Sequence, residues 1–310
     1  MGVRRLVAAG PCPGSSPATT GWAEAPRPGH RGRSGRGRVR GGCCPVGPGR
    51  RLAERTSPRR RERRRREMVT HTTSVKRSGQ GYDATPFLPG RRAGLPGLRR
   101  AAAGCRGCPL YEDATQTVFG EGDTSARILL LGEQPGDQED RQGRPFVGPA
   151  GKVLERALAD AGIHPDGTYV TNAVKHFKFT VPEGRKRRIH KSPSLREMTA
   201  CRPWLVAELQ RVRPELVVAL GSTAGKALLG PSFRVTEQRG ALLPWPGLDD
   251  GGGDGSGGGR VDDGVRGLVA TIHPSAVLRA DDRDAAYKGL VSDLRVAAHA
   301  LDDGGGGSSS

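Results

Sequence analysis

Arg127-Ile128-Leu129-Leu130-Leu131-Gly132 decides the fold. A short apolar run closed by glycine reads as a buried strand. The polar stretch Glu133-Gln134-Pro135-Gly136-Asp137 follows it as a loop. Gly148-Pro149-Ala150-Gly151 then opens a helix through Ala161, with Val153, Leu154, Ala157, Leu158 and Ala161 on one face. The same unit recurs downstream. Thr168 to Val174 is the second strand, Leu216 to Gly221 the third and Leu268 to Ile272 the fourth, with Ala241 to Trp245 as an optional extra one. Between them the pattern predicts a helix over 193–211, in which Pro203 marks a break or a new first turn. It also predicts a short helix over 222–229 capped by Ser222 or Thr223, and a last helix over roughly 282–301.

Strands alternating with helices imply an α/β fold, a three-layer α/β/α sandwich around a central, mainly parallel four-stranded sheet. Ligands of such sheets bind beyond the carboxyl ends of the strands. That rule gathers the loops Glu133–Asp137, Asn172–His176, Gly221–Thr223 and His273–Ser275 at one rim.

Outward from this region the composition changes. Residues 1–67 hold 18 arginines, no lysine and four glutamates, a net charge of +14, while the whole chain carries +18. The folded part is therefore close to neutral, and the high isoelectric point belongs to the tail. The tail is also rich in glycine and proline and has almost no periodic apolar residues, so it reads as disordered. It suits a nucleic-acid-binding arm, a transit peptide of the wrong composition, or upstream sequence ahead of a true start at Met68; the last reading is preferred. Residues 68–84 form a linker, 85–301 the folded domain with a flexible Gly/Asp insertion at 249–264, and 302–310 a disordered end. No apolar run is long enough for a membrane span, and the expectation is a cytoplasmic monomer that does not engage membranes.

Six cysteines are present, three of them (Cys12, Cys43, Cys44) in the tail. Cys105-x-x-Cys108 and Cys201 fall in the folded part. An odd number of cysteines including a C-x-x-C, without a secretion signal, favours a metal or cluster site over disulfides. The stretch Gly184-Arg185-Lys186-Arg187-Arg188-Ile189-His190-Lys191-Ser192-Pro193 shows no strand or helix period. By itself it is a basic loop, solvated or bound to phosphate.

Taken singly, Asn172 caps a turn, Phe146 belongs to a core and His273 ends a strand. Their order says more. Gly132-Glu133-Gln134-Pro135-Gly136-Asp137-Gln138-Glu139-Asp140 is followed by Gly143-Arg144-Pro145-Phe146-Val147-Gly148-Pro149-Ala150-Gly151, then Asn172, then His273-Pro274-Ser275. This sequence of motifs resembles the uracil-DNA glycosylase superfamily, and in particular its iron–sulfur family 4 branch. The resemblance covers roughly residues 85–301 and includes Cys105-x-x-Cys108 and Cys201-Arg202-Pro203-Trp204. Gly-Glu-Gln-Pro-Gly-Asp-Gln-Glu and Lys186-Arg187-Arg188-Ile189-His190 are similar to the UdgX branch, whose members become covalently attached to uracil-containing DNA.

The resemblance implies a division of labour. Asn172 reads uracil O4 and N3–H with an amide that both donates and accepts. Phe146 stacks on the ring, while Gly132 and the Gln134 backbone complete the pocket. His273 sits at uracil O2 and stabilises the departing anion. His190 attacks the sugar C1′. Glu133 accepts the His190 N–H and fixes its tautomer, with Asp137 as a second candidate carboxylate; the two are not ranked. Lys186, Arg187, Arg188, Lys191 and Ser275 contact the DNA backbone, and Arg187 or Arg188 also anchors the loop. A 4Fe–4S cluster is held by Cys105, Cys108, Cys201 and His176, the last standing where related enzymes have a fourth cysteine; a three-cysteine zinc site or a degenerate one is the alternative. The expected partner is uracil-containing DNA, preferably single-stranded, where flipping a base costs least. Two rivals stay open: a turnover enzyme using water activated by Glu133, and a non-catalytic uracil-DNA binder or cluster protein.

Overall fold

A computed structural model of the chain describes residues 81–303, apart from 91, 185 and 249–263. These residues belong to one unit, Lys76–Ser310. The tail over 1–67 with its three cysteines, most of the linker at 68–84, nearly all of the insertion at 249–264 and most of the end at 302–310 lie outside the described residues.

In chain order the elements are α1 (Leu95–Ala102), α2 (Leu110–Asp113), β1 (Glu121–Gly122), β2 (Ile128–Gly132), α3 (Asp137–Gln142), α4 (Pro149–Asp160) and β3 (Thr168–Asn172). They continue as β4 (Phe179–Thr180), β5 (Ile189–His190), α5 (Leu195–Val212), β6 (Leu216–Leu220), α6 (Ser222–Leu229), α7 (Val235–Gln238), β7 (Leu242–Pro244), β8 (Gly267–Thr271), α8 (Pro274–Arg279) and α9 (Arg283–Asp302).

The four expected strands, β2, β3, β6 and β8, are buried at every residue and pair in parallel. The sheet nevertheless has six strands, in the order β1-β3-β2-β6-β8-β7. The two additions are short and antiparallel, β1 against β3 and β7 against β8. β7 falls inside the optional strand expected over Ala241–Trp245, whereas β1, at two residues, is too short to show a period. They occupy the edges of the parallel core, where a mixed sheet accepts an antiparallel strand.

β2 is the centre from which the chain turns back: β3 lies on one side of it and β6 on the other. That reversal opens a crevice between the loops after β2 and β6. α5 packs on one face of the sheet, with α1 beside it. Its Leu205, Val206, Leu209 and Val212 join the sheet's core. Its Ala200, Cys201, Trp204 and Ala207 join a second core with Cys105 and Cys108. α5 is therefore a wall shared by two cores. It runs unbroken through Pro203, contrary to the expected break, because burial on both sides offsets the local cost of about 3 kcal/mol. Its start is secured by a capping box, Ser194 with Glu197. α6 is capped by Gly221 at φ 91° rather than by Ser222 or Thr223. On the other face α4, α8 and α9 pack together. Among the described residues no helix is long and apolar enough to cross a membrane.

Candidate active site

The carboxyl ends of β2 and β3 stand side by side, Gly132 opposite Asn172. Gly132 is required there for space: a β-carbon would collide with Asn172 Oδ1 and the Phe146 ring. The next two links across the strands, Ala173 N–H to Gly132 O (2.9 Å) and Val174 N–H to Glu133 O (3.1 Å), hold the loops at a fixed spacing. Phe146 is buried and adopts φ 53°, a left-handed conformation unusual for a bulky residue. Gly151, one turn into α4, lies against the Phe146 carbonyl and leaves no room for a side chain. Gly148 N–H donates to Glu139 Oε1 at 2.7 Å, so Glu139 pins the segment that carries Phe146.

His273 caps α8. Its Nδ1 accepts from Ser275 N–H at 3.1 Å and lies 2.8 Å from Ser275 Oγ. With Nδ1 accepting, the ring proton sits on Nε2. Burial pushes the imidazole down to about 4, against a smaller upward pull from Glu133; the ring is neutral at physiological pH, a donor rather than a cation. The Phe146 and His273 rings lie 6.1 Å apart, inclined by 29°. Ser275, expected at the DNA backbone, turns its hydroxyl to His273, and Arg279 donates to that hydroxyl at 3.0 Å.

Glu133 reaches across the crevice: Thr223 at the start of α6 donates to its Oε2 at 2.6 Å. Its Oε1 is buried and has no hydrogen-bond partner. That oxygen lies 3.6 Å from His190 Nε2. Glu133 and His190 also both act electrostatically on His273, which brings the three groups to one place.

His190 is carried by a structure that periodicity did not reveal. The basic loop is an arm of a β-hairpin, β4 with β5, in which Phe179 pairs with His190 and Thr180 with Ile189. The Gln134 side chain clamps this hairpin. Its oxygen accepts Lys178 N–H at 3.0 Å, and its nitrogen donates to Lys191 O at 3.0 Å and Lys178 O at 3.2 Å. The same nitrogen is 2.9 Å from His190 Nε2. The amide has two protons, which the two carbonyls take, so His190 Nε2 stands between this nitrogen and Glu133 Oε1. Gln134 thus acts through its side chain as well as its backbone.

Arg188 and Asp137 also differ from expectation. The Arg188 side chain is only 12 % exposed and pairs with Asp137 and Asp140. Its guanidinium lies over the Phe179 ring at 4.9 Å and the Phe177 ring at 5.3 Å. It anchors the hairpin and is not available to phosphate. Asp137 is taken up by Arg141 and Arg188, which hold its carboxyl below the usual range; Glu133 is the carboxylate near His190. Lys186, Arg187 and Lys191 are exposed. At the hairpin's base Lys178 pairs with Glu197 at 2.8 Å.

Cys105 and Cys108, between α1 and α2, and Cys201, on α5, are free and buried. Burial pushes the Cys108 thiol up to about 11 and the Cys201 thiol up to about 12, and neighbouring cysteines raise both further. Two sulfurs receive N–H bonds, Cys105 from Trp204 Nε1 (3.3 Å) and Cys201 from Lys175 N (3.4 Å). Three thiols in one apolar pocket are a soft donor set. Among the described residues no three His, Cys, Asp or Glu side chains are grouped for a single metal ion; a four-iron cluster takes one protein ligand at each iron and so accepts a wider spacing. His176 is buried beside this pocket. Its Nε2 meets Thr117 Oγ1 at 2.9 Å, and Thr117 spends its own proton on Ala102 O. His176 therefore donates from Nε2 and keeps its lone pair on Nδ1. Burial pushes its pKa down to about 4, and Asp140 rather than a cysteine is the charge acting on it.

Thr223, Glu139 and the Gln134 side chain are site residues that the sequence reading did not single out. The rim rule had already brought the loop holding Thr223 to the site, and that was the available signal.

Comparison with known proteins agrees with this geometry. The profile of the Uracil DNA glycosylase superfamily matches residues 119–295. The type-4 uracil-DNA glycosylase of Thermotoga maritima is 35 % identical over 176 residues, 56 % of this chain and 78 % of that protein. The type-4 uracil-DNA glycosylase of Pyrobaculum aerophilum is 33 % identical over 185 residues, 60 % of this chain and 85 % of its own length. The type-5 uracil-DNA glycosylase of Thermus thermophilus is 36 % identical over 160 residues, 46 % and 65 % of the two chains. Buried Gly132, Phe146 and Asn172 at the strand ends, a neutral histidine donor stacked near them and the match over most of the folded part lead to one conclusion: the chain belongs to the uracil-DNA glycosylase superfamily.

Proposed function

We propose that the protein is a uracil-DNA glycosylase of the family 4 type that excises uracil from DNA, acting as a monomer on single strands, and that His190 then captures the sugar. The observation that carries the second half is the position of His190 Nε2, 3.6 Å from the unpartnered, buried Glu133 Oε1 and within electrostatic reach of His273.

The flipped base enters the pocket between Phe146, Gly132 and Asn172. The Asn172 amide accepts N3–H and donates to O4. As the C1′–N1 bond breaks, its electron pair leaves with uracil. Charge develops on O2, where the His273 Nε2–H donates to it. The sugar becomes oxocarbenium-like, and the Glu133 carboxylate stabilises that charge at short range. The lone pair of His190 Nε2 forms the new bond to C1′. Nδ1 then gives up its proton to solvent, leaving a neutral N-alkylimidazole. No good leaving group is offered to water, so the link persists and turnover stops near one. Lys186, Arg187 and Lys191 meet the phosphates.

Cys105, Cys108 and Cys201, with His176 through Nδ1, would hold a 4Fe–4S cluster. When bound, it supplies metal–ligand bonds that tie the segment before α2 to α5 and to the segment after β3.

Incubation with uracil-containing single-stranded DNA, followed by a denaturing gel, tests the reading. The expected result is a DNA–protein band that survives detergent and heat, is lost in His190→Ala, and accompanies free uracil. Uracil release with an abasic product and no stable band would make the protein a turnover glycosylase using water. No release of uracil would exclude both.

A further inference from the structure

Lys175 has no part in the chemistry above, yet its ammonium is only 1 % exposed. All three of its protons have acceptors: Glu208 Oε2 at 2.5 Å, Thr171 Oγ1 at 2.6 Å and the Asn172 carbonyl at 2.8 Å. Glu208, fully buried, also accepts from Gly120 N–H, Tyr169 O–H and Thr171 O–H. No group in this network is left over. Replacing a buried ion pair by apolar groups is often neutral for stability, because desolvation offsets the Coulomb attraction. What such a pair does supply is direction.

The direction here is specific. Asn172 is the last residue of β3 and the reader of the base. Its neighbours Ala173 and Val174 donate to Gly132 at the end of β2 and to Glu133 just after it, whereas the Asn172 carbonyl is held by Lys175. The backbone N–H of Lys175 donates to Cys201 Sγ at 3.4 Å. Residues 172–175 thus form a strap, fixed at one end to the base pocket and at the other to the cysteine pocket. We propose that Lys175 is the positioning residue of the base pocket: its buried ammonium sets the backbone from which the Asn172 amide reads the base. This rests on the glycosylase reading of the site.

The test is the neutral pair Lys175→Met/Glu208→Gln, which leaves no uncompensated buried charge. Three quantities are measured against the wild type: the single-turnover rate of uracil release at saturating single-stranded DNA, the half-saturating DNA concentration, and the Asn172 side-chain amide resonances, identified by their absence in Asn172→Asp. The expected result is a rate lower by about 10²-fold, the cost of displacing a reacting group by roughly 1 Å, with an unchanged half-saturating concentration and shifted Asn172 resonances. Tyr169→Phe removes one of the bonds to Glu208 but keeps the ion pair and the ammonium's bond to Asn172, and its rate stays close to wild type. An unchanged rate with unmoved resonances in the pair variant overturns the proposal. So does an equal loss in Tyr169→Phe, which would put the effect in the network around Glu208 and not in the hold on Asn172. If the wild type releases no uracil, the glycosylase reading fails on its own, and the Asn172 resonances still decide whether Lys175 fixes the amide.

Discussion

The two halves of the site are made of different material. Gly132, Phe146 and Asn172 are buried and stand on or against strands with no exposed residue. They owe their positions to packing, to a glycine where a side chain would collide, and to a left-handed phenylalanine. His190 is nearly half exposed (48 %) and rides on a hairpin whose strands are two residues each. Such a ribbon has little stability of its own. Its place is set by polar clamps: Gln134 across its width, Arg188 to Asp137 and Asp140, Lys178 to Glu197. On the proposed function, recognition of the base is thus built into the core, and capture of the sugar is attached to it. The two functions should separate under mutation.

The largest effect is expected on the core side. His273→Ala removes the donor to the developing anion and lowers uracil release and adduct formation together by about 10²–10³-fold. A gel that kept full adduct yield would break the division at once. Next comes the hairpin anchor. Arg188→Ala strands Asp140, fully buried, without its cation, and costs about 3 kcal/mol of stability. Denaturant unfolding measures this loss, and adduct yield should fall further than uracil release does.

Titration gives a smaller contrast. The His273 imidazole is held down to about 4 by burial, while the unfolded chain protonates it near 6.5. Below about pH 6.5 the unfolded state gains a proton that the folded state refuses, so stability falls with pH over that window, by about 2 kcal/mol at pH 5. Urea midpoints at pH 7 and pH 5 should converge in His273→Gln relative to wild type. The smallest effect sharpens the hairpin side: Gln134→Met removes the amide's bonds to Lys178 and Lys191 and its contact with His190 together; water takes over part of them, and a net loss of about 1.4 kcal/mol slows adduct formation by about tenfold, with uracil release measured on the same samples unchanged.

How far the sequence was legible follows the same division. The four core strands and their rim were readable because a fully buried parallel strand is a continuous apolar run, and because ligand loops gather at carboxyl ends. Elements of two residues, β1, β4 and β5, fall below any periodic window. Pairings distant in sequence were equally hidden. Nothing in Lys-Arg-Arg-Ile-His distinguishes Arg188, which faces Asp137 and Asp140, from Arg187, which faces solvent. The Lys175–Glu208 pair spans 33 positions, and each partner alone reads as a surface charge. Gln134 was expected for its backbone because a loop residue after a strand carries no sign of where its side chain goes.

Phe146 and Gly151 bear on how this pocket can change. The ring's position depends on a backbone conformation that bulky residues rarely adopt, and the carbonyl that conformation aims at α4 leaves room only for glycine. The aromatic can be exchanged for another of similar shape, but it cannot be shifted by degrees, since each intermediate step meets a steric wall. A variant library seeking a different base will find its tolerated substitutions at Asn172 and along the strap to Lys175, and almost none in the turn from Phe146 to Gly151.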